Sequence, residues 1–254
     1  MSTYKEVAIA AAQEAGKVLL KLSQQDIKYE LKSSHDILAE GDLKSESVIM
    51  EKIKAAFPSH SILSEEAGEE VHDVDFLWVI DPIDGTINFS RHIDEYCISI
   101  ALVEKSEIVL SVIYRPTLNR LYVAEKGKGA FLNGEQLHVS SEPELINCIA
   151  AADNSSRIDI RTKTFEILTQ LSAEVRHIRI FGSGALHLAR LAEGQIDVYF
   201  KPRFNYWDYA AGVLLVKEAC GTVTDFAGND ITRDSKEIIA TNGLLHEHAI
   251  KFVR

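Results

Sequence analysis

Apolar positions recur at a helical interval near the start of the chain. Val7, Ala8, Ala11, Ala12, Ala15, Val18, Leu19 and Leu22 share one stripe and leave Lys5, Glu6, Glu14, Lys17 and Lys21 outside it, which predicts an amphipathic packing helix over Tyr4–Leu22. A second helix is expected over 42–56, ended by Pro58, with Leu43, Ile49, Ile53 and Ala56 inward and Asp42 at its start. Residues 32–41 between them are polar and read as a mobile flap. Short apolar bursts at 61–63 and 76–80 predict buried strands, and 96–103, 107–115 and 121–125 read as antiparallel strands joined by polar turns, followed by a turn region from Gly127 to Gly134. After Ser141 strands and helices alternate. Strands are expected near 148–152, 175–181, 196–200, 222–225 and 237–241, with helices over Ile158–Leu171 and 183–193 and from Trp207 to a stop at Gly221. His246 and His248 fall in a C-terminal helix and are expected to be exposed. A break near 140–145 separates an N-terminal half, 1–142, from a C-terminal half, 143–254, of one compact unit.

Composition narrows the class. With 254 residues and 46% hydrophobic content, the chain can bury a sizeable core. Its 27 basic and 38 acidic residues give a net charge of −11, which disfavours nucleic acid and anionic membranes as partners. Cys97, Cys148 and Cys220 have apolar neighbours and no CxxC spacing, so they are expected to be buried free thiols in a reducing compartment. None lies in the Gly-rich, Arg-ended loop of a cysteine phosphatase. The histidines form no HExxH pattern, which argues against a zinc hydrolase. No run approaches the roughly 20 apolar residues that span a bilayer, and no signal-like apolar core opens the chain, so a cytoplasmic location is expected.

Candidate chemistry begins where the 76–80 strand pattern breaks into Asp81, Pro82, Ile83, Asp84, Gly85 and Thr86. Pro82 is expected to end ladder pairing and leave both acids just past the strand. Buried carboxylates this close repel and raise each other's pKa unless a cation lies between them, and hard oxygen ligands suit Mg²⁺ or Mn²⁺. The amides of Gly85 and Thr86 are placed to hold a phosphate, and the Thr86 hydroxyl to orient a water. Asp-Pro and Asp-Gly are also ordinary turn dipeptides, so this stretch alone leaves a simple turn open. Two further acidic elements exist: Glu65 and Glu66 at the end of the 61–63 strand, and Asp208 at a helix start, where by itself it reads as a cap.

Together these pieces resemble the inositol monophosphatase family of Mg²⁺-dependent, lithium-sensitive phosphatases. The matching segments are KSSHDILAEGD (Lys32 to Asp42), SEEAG (Ser64 to Gly68), WVIDPIDGTINF (Trp78 to Phe89), GSGAL (Gly182 to Leu186) and WDYAAG (Trp207 to Gly212); GKGAFLNG (Gly127 to Gly134) and EACGTVTDFAG (Glu218 to Gly228) also look like family segments. The resemblance implies an α/β fold, the αβαβα five-layer sandwich of the inositol monophosphatase and fructose-1,6-bisphosphatase type. It implies two or three Mg²⁺ ions, with Mn²⁺ as a substitute. Glu65, Asp81 and the carbonyl of Ile83 would hold the first, and Asp81, Asp84 and Asp208 the second, with Glu65 also facing a third, weaker ion. Such ions activate a water for in-line attack on phosphorus.

The resemblance makes Thr86, Asp42 and Asp84 the catalytic residues, with Thr86 and Asp42 orienting or deprotonating the water, although Asp42 also reads as a helix cap. Gly85 and Thr86 would bind phosphate, and Glu66 would support the site rather than ligate. Gly182, Ser183 and Gly184 open a helix and offer donors to substrate oxygens, or form a plain turn. Ala39 and Gly41 stand where relatives often have threonines. Inositol-specific members have a glutamate six residues before the tryptophan of WD; here that place is Lys201, with Arg203 nearby. A cation there favours a second anionic group over a neutral polyol. The expected partner is a small phosphorylated metabolite, with myo-inositol 1-phosphate the first reading. Fructose 1,6-bisphosphate, a 3′-phosphorylated adenosine nucleotide, histidinol phosphate and a non-catalytic phosphate-binding regulator stay open. A homodimer is also implied.

Overall fold

The computed structural model of the chain describes residues 2–33 and 36–254. In chain order the elements are α1 (Tyr4–Leu22), β1 (Tyr29–Ser33), β2 (Asp36–Ala39), α2 (Glu40–Ala56), β3 (His60–Ser64), β4 (Gly68–Glu70), β5 (Asp73–Asp84), α3 (Thr86–Ser90), β6 (Cys97–Glu104), β7 (Glu107–Arg115), β8 (Arg120–Glu125), β9 (Ala130–Leu132) and β10 (Glu135–Gln136). They continue with β11 (Ile149–Ala152), α4 (Ile158–Leu171), β12 (His177–Arg179), α5 (Gly184–Ala192), β13 (Val198–Lys201), α6 (Tyr206–Glu218), β14 (Thr222–Thr224), β15 (Ile238–Thr241) and α7 (His246–Ala249).

Two large sheets set the architecture. The first runs β10-β9-β8-β7-β6-β5-β3-β4 and is antiparallel except for the β3/β5 pair; the second runs β12-β11-β13-β15-β14, with β11 parallel to both its neighbours. Three apolar clusters glue the layers. Val7, Ala11, Ala15 and Leu19 of α1 and Ile49 and Ile53 of α2 pack on one face of the first sheet, against Trp78, Ile80, Ile98, Ile100 and Val112. The opposite face packs against α5 and α6, whose far sides meet Ala151, Tyr199 and Ala240 of the second sheet. Ile167, Leu168 and Leu171 of α4, with Ala249 and Ile250, cover the outer face of that sheet. The order is αβαβα. Apolar side chains on both faces of the central strands explain why β6 reads as a continuous apolar run rather than an alternating one.

Several expectations are corrected. Pro82 does not end β5. The strand continues to Asp84, and only the register with β6 changes: Asp81 pairs with Ser99 and Asp84 with Cys97, so Pro82 and Ile83 together face Ile98 in a bulge. A bulge frees its residues from the ladder, and so it accommodates a proline without an N–H. The inward face of α2 is Gly41, Asp42, Ser45, Glu46, Ile49 and Ile53, while Leu43 and Ala56 are exposed. The polar residues turn inward because they serve the site described below. Of residues 32–41, read as a mobile flap, 32–33 end β1, 36–39 form β2 and 40–41 open α2; Ser34 and His35 lie outside the described residues. Cys97 and Cys148 are buried, but Cys220 is exposed, carried out by a left-handed φ of 69° just past α6. His246 is buried, with its ring between the hydroxyls of Thr224 (3.0 Å) and Thr241 (3.1 Å). Among the described residues no helix is long and apolar enough to cross a membrane.

Candidate active site

The site forms where the bulged end of β5 meets the starts of α2, α3, α5 and α6. Asp81 lies almost wholly out of solvent, and Oδ1 accepts from the Ile83 amide at 3.1 Å. Burial pushes its carboxyl well above the ordinary carboxylate range, and Glu65, Asp84, Asp208 and Asp42 all push it the same way. The charges of four other acids thus reach the buried Asp81 carboxyl. Glu65, at the end of β3, is half-buried, and its amide donates to the Ile80 carbonyl at 3.3 Å, which ties its turn to β5.

Asp84 is pushed up to about 6. Burial is the main cause, Asp208 and Asp153 add to it, and Lys201 and a Ser183 hydrogen bond oppose it. Its carboxylate sits on the N-terminus of α5: Ser183 Oγ donates to Oδ2 at 2.6 Å, the Ala185 amide to Oδ2 at 2.6 Å and the Gly184 amide to Oδ1 at 3.2 Å. The donors expected to serve a substrate through Ser183 and Gly184 are thus spent on Asp84. The physical reason is the helix dipole: an anion from β5 already occupies the positive end of α5. Gly182 lies beside it with φ 78°, and Asn88 of α3 clamps the approach by donating to Glu95 O and Phe181 O, both at 2.7 Å.

Asp42 is fully buried and sits in the first turn of α2, where its carboxylate caps the amide of the N-cap residue Ala39. The Ala39 amide donates to its Oδ2 at 2.7 Å, which leaves Oδ1 3.0 Å from Thr86 Oγ1. Thr86 Oγ1 is also 2.9 Å from the Ile83 carbonyl, so its single proton serves one acceptor at a time. Asp208 lies in the first turn of α6 and likewise folds back on its own helix start, accepting from the Asn205 amide at 2.8 Å.

Gly85 joins β5 to α3 with φ 100°, and a Cβ there would stand 2.7 Å from the Glu95 carbonyl. Gly85→Ala is expected to cost about 2 kcal/mol or more, from the left-handed backbone and that clash together. Urea unfolding checks this, and a variant as stable as wild type would show that the turn is not held as described.

One cavity of about 320 Å³ opens beside these groups, lined by Asp84, Asn88, Asp153, Gly184, Arg161 and Lys201 among others. Lys201, three-quarters or more buried, places Nζ 3.8 Å from Asp208 Oδ2. Arg203 is exposed and is not among the residues lining this cavity, and Arg161 of α4 supplies its second cation.

Sequence reasoning missed three supports. Glu46, one turn after Asp42 on α2, accepts from Ser64 Oγ, the Glu66 amide (3.1 Å) and the Ala67 amide (3.0 Å), and so holds the turn that carries Glu65. The spacing from Asp42 was its only local signal. Asp153, at the end of β11, accepts from Tyr199 Oη at 2.8 Å and lies 3.2 Å from His187 Nδ1. His187 Nε2 accepts from the Phe181 amide at 3.2 Å, and Nδ1 also lies 2.7 Å from the Ser183 carbonyl. In the neutral ring the Nδ1 proton points at that carbonyl, and Asp153 Oδ1 is left without a well-aligned donor. Burial raises the Asp153 carboxyl, yet His187, Lys201 and Tyr199 outweigh it and hold the group well below its ordinary range.

The sequence model of the inositol monophosphatase family matches residues 1–254. The chain belongs to that family. Among family relatives it is 41% identical to the fructose-1,6-bisphosphatase/inositol-1-monophosphatase of Thermotoga maritima, over 86% of this chain and 82% of that protein. It is 37% identical to the Nus factor SuhB of Escherichia coli, over 93% and 90%. The crystal structure of the extragenic suppressor protein SuhB from Bartonella henselae superposes with a TM-score of 0.96 at 34% identity, covering 100% of this chain and 99% of that one. The αβαβα sandwich is the fold of this family.

Family members are generally metal-dependent, so the donors require a test of fit. Among the described residues no three His, Cys, Asp or Glu side chains stand as a group able to hold an ion as they are. Asp81, Asp84, Asp208 and Asp42 are instead turned onto nearby amides. The chemistry of the set nevertheless fits a hard divalent cation, because it is built of oxygen and its buried negative charge is costly without a counter-ion.

Proposed function

We propose that this chain is a divalent-cation-dependent phosphomonoesterase acting on a small phosphorylated metabolite. The observation that carries the reading is the Thr86 hydroxyl 3.0 Å from the buried Asp42 carboxylate, beside the acids gathered around Asp81. Glu65, Asp81 and the Ile83 carbonyl would hold one cation, and Asp81, Asp84 and Asp208 a second. Bound there, divalent cations would offset phosphate charge and ease ionisation of a water.

The chain's own groups do the proton handling. An attacking water gives its proton to Thr86 Oγ1 as Thr86 passes its own to Asp42 Oδ1; the Ala39 amide fixes the other Asp42 oxygen and keeps the pair aligned. The Gly85 and Thr86 amides would orient the phosphate. Lys201 and Arg161 line the cavity together with Asp84 and Asp153; with cations bound at the acids, the two basic groups would favour a substrate with a second anionic group, such as a sugar bisphosphate, and the name of the Thermotoga relative points the same way. Inositol 1-phosphate remains the monophosphate alternative.

The test is inorganic phosphate release, with and without Mg²⁺, from inositol 1-phosphate, fructose 1,6-bisphosphate, adenosine 3′,5′-bisphosphate and histidinol phosphate. Mg²⁺-dependent release from one of them is expected. Its absence from all, with folded protein, favours a second reading as a phosphate-binding regulator. That reading is supported by the Nus factor name of several relatives and by a lysine lying among the acids.

A further inference from the structure

Lys201 lies where the acids of the second cation site converge. Its Nζ is 3.8 Å from Asp208 Oδ2, both side chains are 18% exposed, and it lines the same cavity as Asp84 and Asp153. β13 ends at Lys201, and its pairing with Ile238 of β15 fixes where the side chain starts. The ammonium is thus built into the cluster rather than swinging at the surface. Asp153, just past β11, lines the same cavity, and its Oδ1 is a buried oxygen with no aligned donor, so Lys201 has carboxylate neighbours on two separate elements.

Resting on the reading above, we propose that Lys201 is a tethered counter-ion: it neutralises the Asp84/Asp208 half of the cluster in the metal-free protein and weakens this chain's hold on its second divalent cation. The physics is competition for the same carboxylates. An ammonium so near Asp208 repels a divalent ion approaching that oxygen, and water screens a pair this buried only partly. In the proposed set the first ion takes Glu65 and the Ile83 carbonyl in place of Asp84 and Asp208, so it shares only Asp81 with the site beside Lys201 and meets less of that repulsion. The acids that would otherwise repel one another gain a permanent partner, and the fold survives without metal.

The experiment is calorimetric titration of Mn²⁺, without substrate, into metal-free wild type, Lys201→Met and Lys201→Arg. Methionine keeps the length and apolar stem and removes the charge; arginine keeps the charge. The expected result is a second Mn²⁺ event in Lys201→Met that is at least tenfold tighter than in wild type, with Lys201→Arg staying near wild type. Equal second-site affinity in wild type and Lys201→Met overturns the proposal. Should methionine leave the metal-free protein poorly folded, the rise in melting temperature on adding Mn²⁺ is the readout, and it should be larger for Lys201→Met than for Lys201→Arg; equal rises overturn the idea. If none of the three proteins binds Mn²⁺, both this inference and the metal-dependent function fall. If wild type binds Mn²⁺ and releases phosphate while methionine changes nothing, only this inference falls.

Discussion

Asp84→Asn is expected to lower Mg²⁺-dependent phosphate release by at least about a hundredfold, the scale on which a single lost transition-state charge interaction is felt. The swap keeps side-chain volume but removes a charge from the proposed second cation site. It should leave the fold intact. Asn Oδ1 can still accept from Ser183 Oγ or the Ala185 amide, which sit 2.6 Å from the present carboxylate. Stability should even improve in the metal-free protein. Asp84 has its pKa raised from 3.8 to about 6, so the folded state holds that proton more tightly, and the stability present below about pH 4 is lost as pH rises through about 6. Asparagine cannot ionise and escapes that loss, which is of order 1–3 kcal/mol. Urea unfolding of both metal-free proteins at pH 8 checks the second half. Turnover near wild type would sink the assignment of Asp84 to the metal site.

Asp153→Asn should have the larger effect on folding. Asp153 is buried, accepts from Tyr199 Oη at 2.8 Å, and offsets the charge of Lys201. Removing its charge is expected to cost about 2 kcal/mol, since a hydrogen bond to a charged group contributes ~1.5–3 kcal/mol. For a chain of this size that lowers the melting temperature by about 4–8 °C. The sign with pH is opposite to that of Asp84. A depressed carboxyl contributes stability above the unfolded-state value, 3.8 in this case, and loses it as pH falls through the lower folded value. The gap between wild type and variant should therefore be full from pH 5 to 8 and shrink below about pH 4. A gap that instead widens on acidification would show that Asp153 is not held ionised by its neighbours.

The Asp153 cluster also bears indirectly on the proposed chemistry. His187 bonds the Phe181 amide and the Ser183 carbonyl, and the turn between them delivers Ser183 Oγ and the Gly184 and Ala185 amides to Asp84. Disturbing Asp153 is therefore disturbing the orientation of a proposed metal ligand, which separates it from an ordinary core substitution.

What the sequence determined by itself is local or motif-borne. The stripe from Val7 to Leu22 gave α1 its full extent, because a 3.6-residue period and a Thr3 cap leave little else for that segment to do. The extent of α4 was equally legible. The segments around Glu65, Asp81 and Asp208 named the family because their residue types and order are distinctive. Only the tertiary structure decided how those acids are held. Asp84 meets Ser183 across 99 intervening steps of chain, and Asn88 meets Phe181 across 93, contacts for which no local periodicity exists. The same holds for Glu46, which looks like an exposed helix glutamate until β3 packs beside it, and for Lys201, whose charge means little until β13 sets it against α6. Local pattern fixes which face of an element is apolar; burial and charge balance at the site depend on which distant faces meet, and in this protein that meeting turned expected substrate donors into carboxylate clamps and set a lysine expected to read the substrate beside the acid of α6.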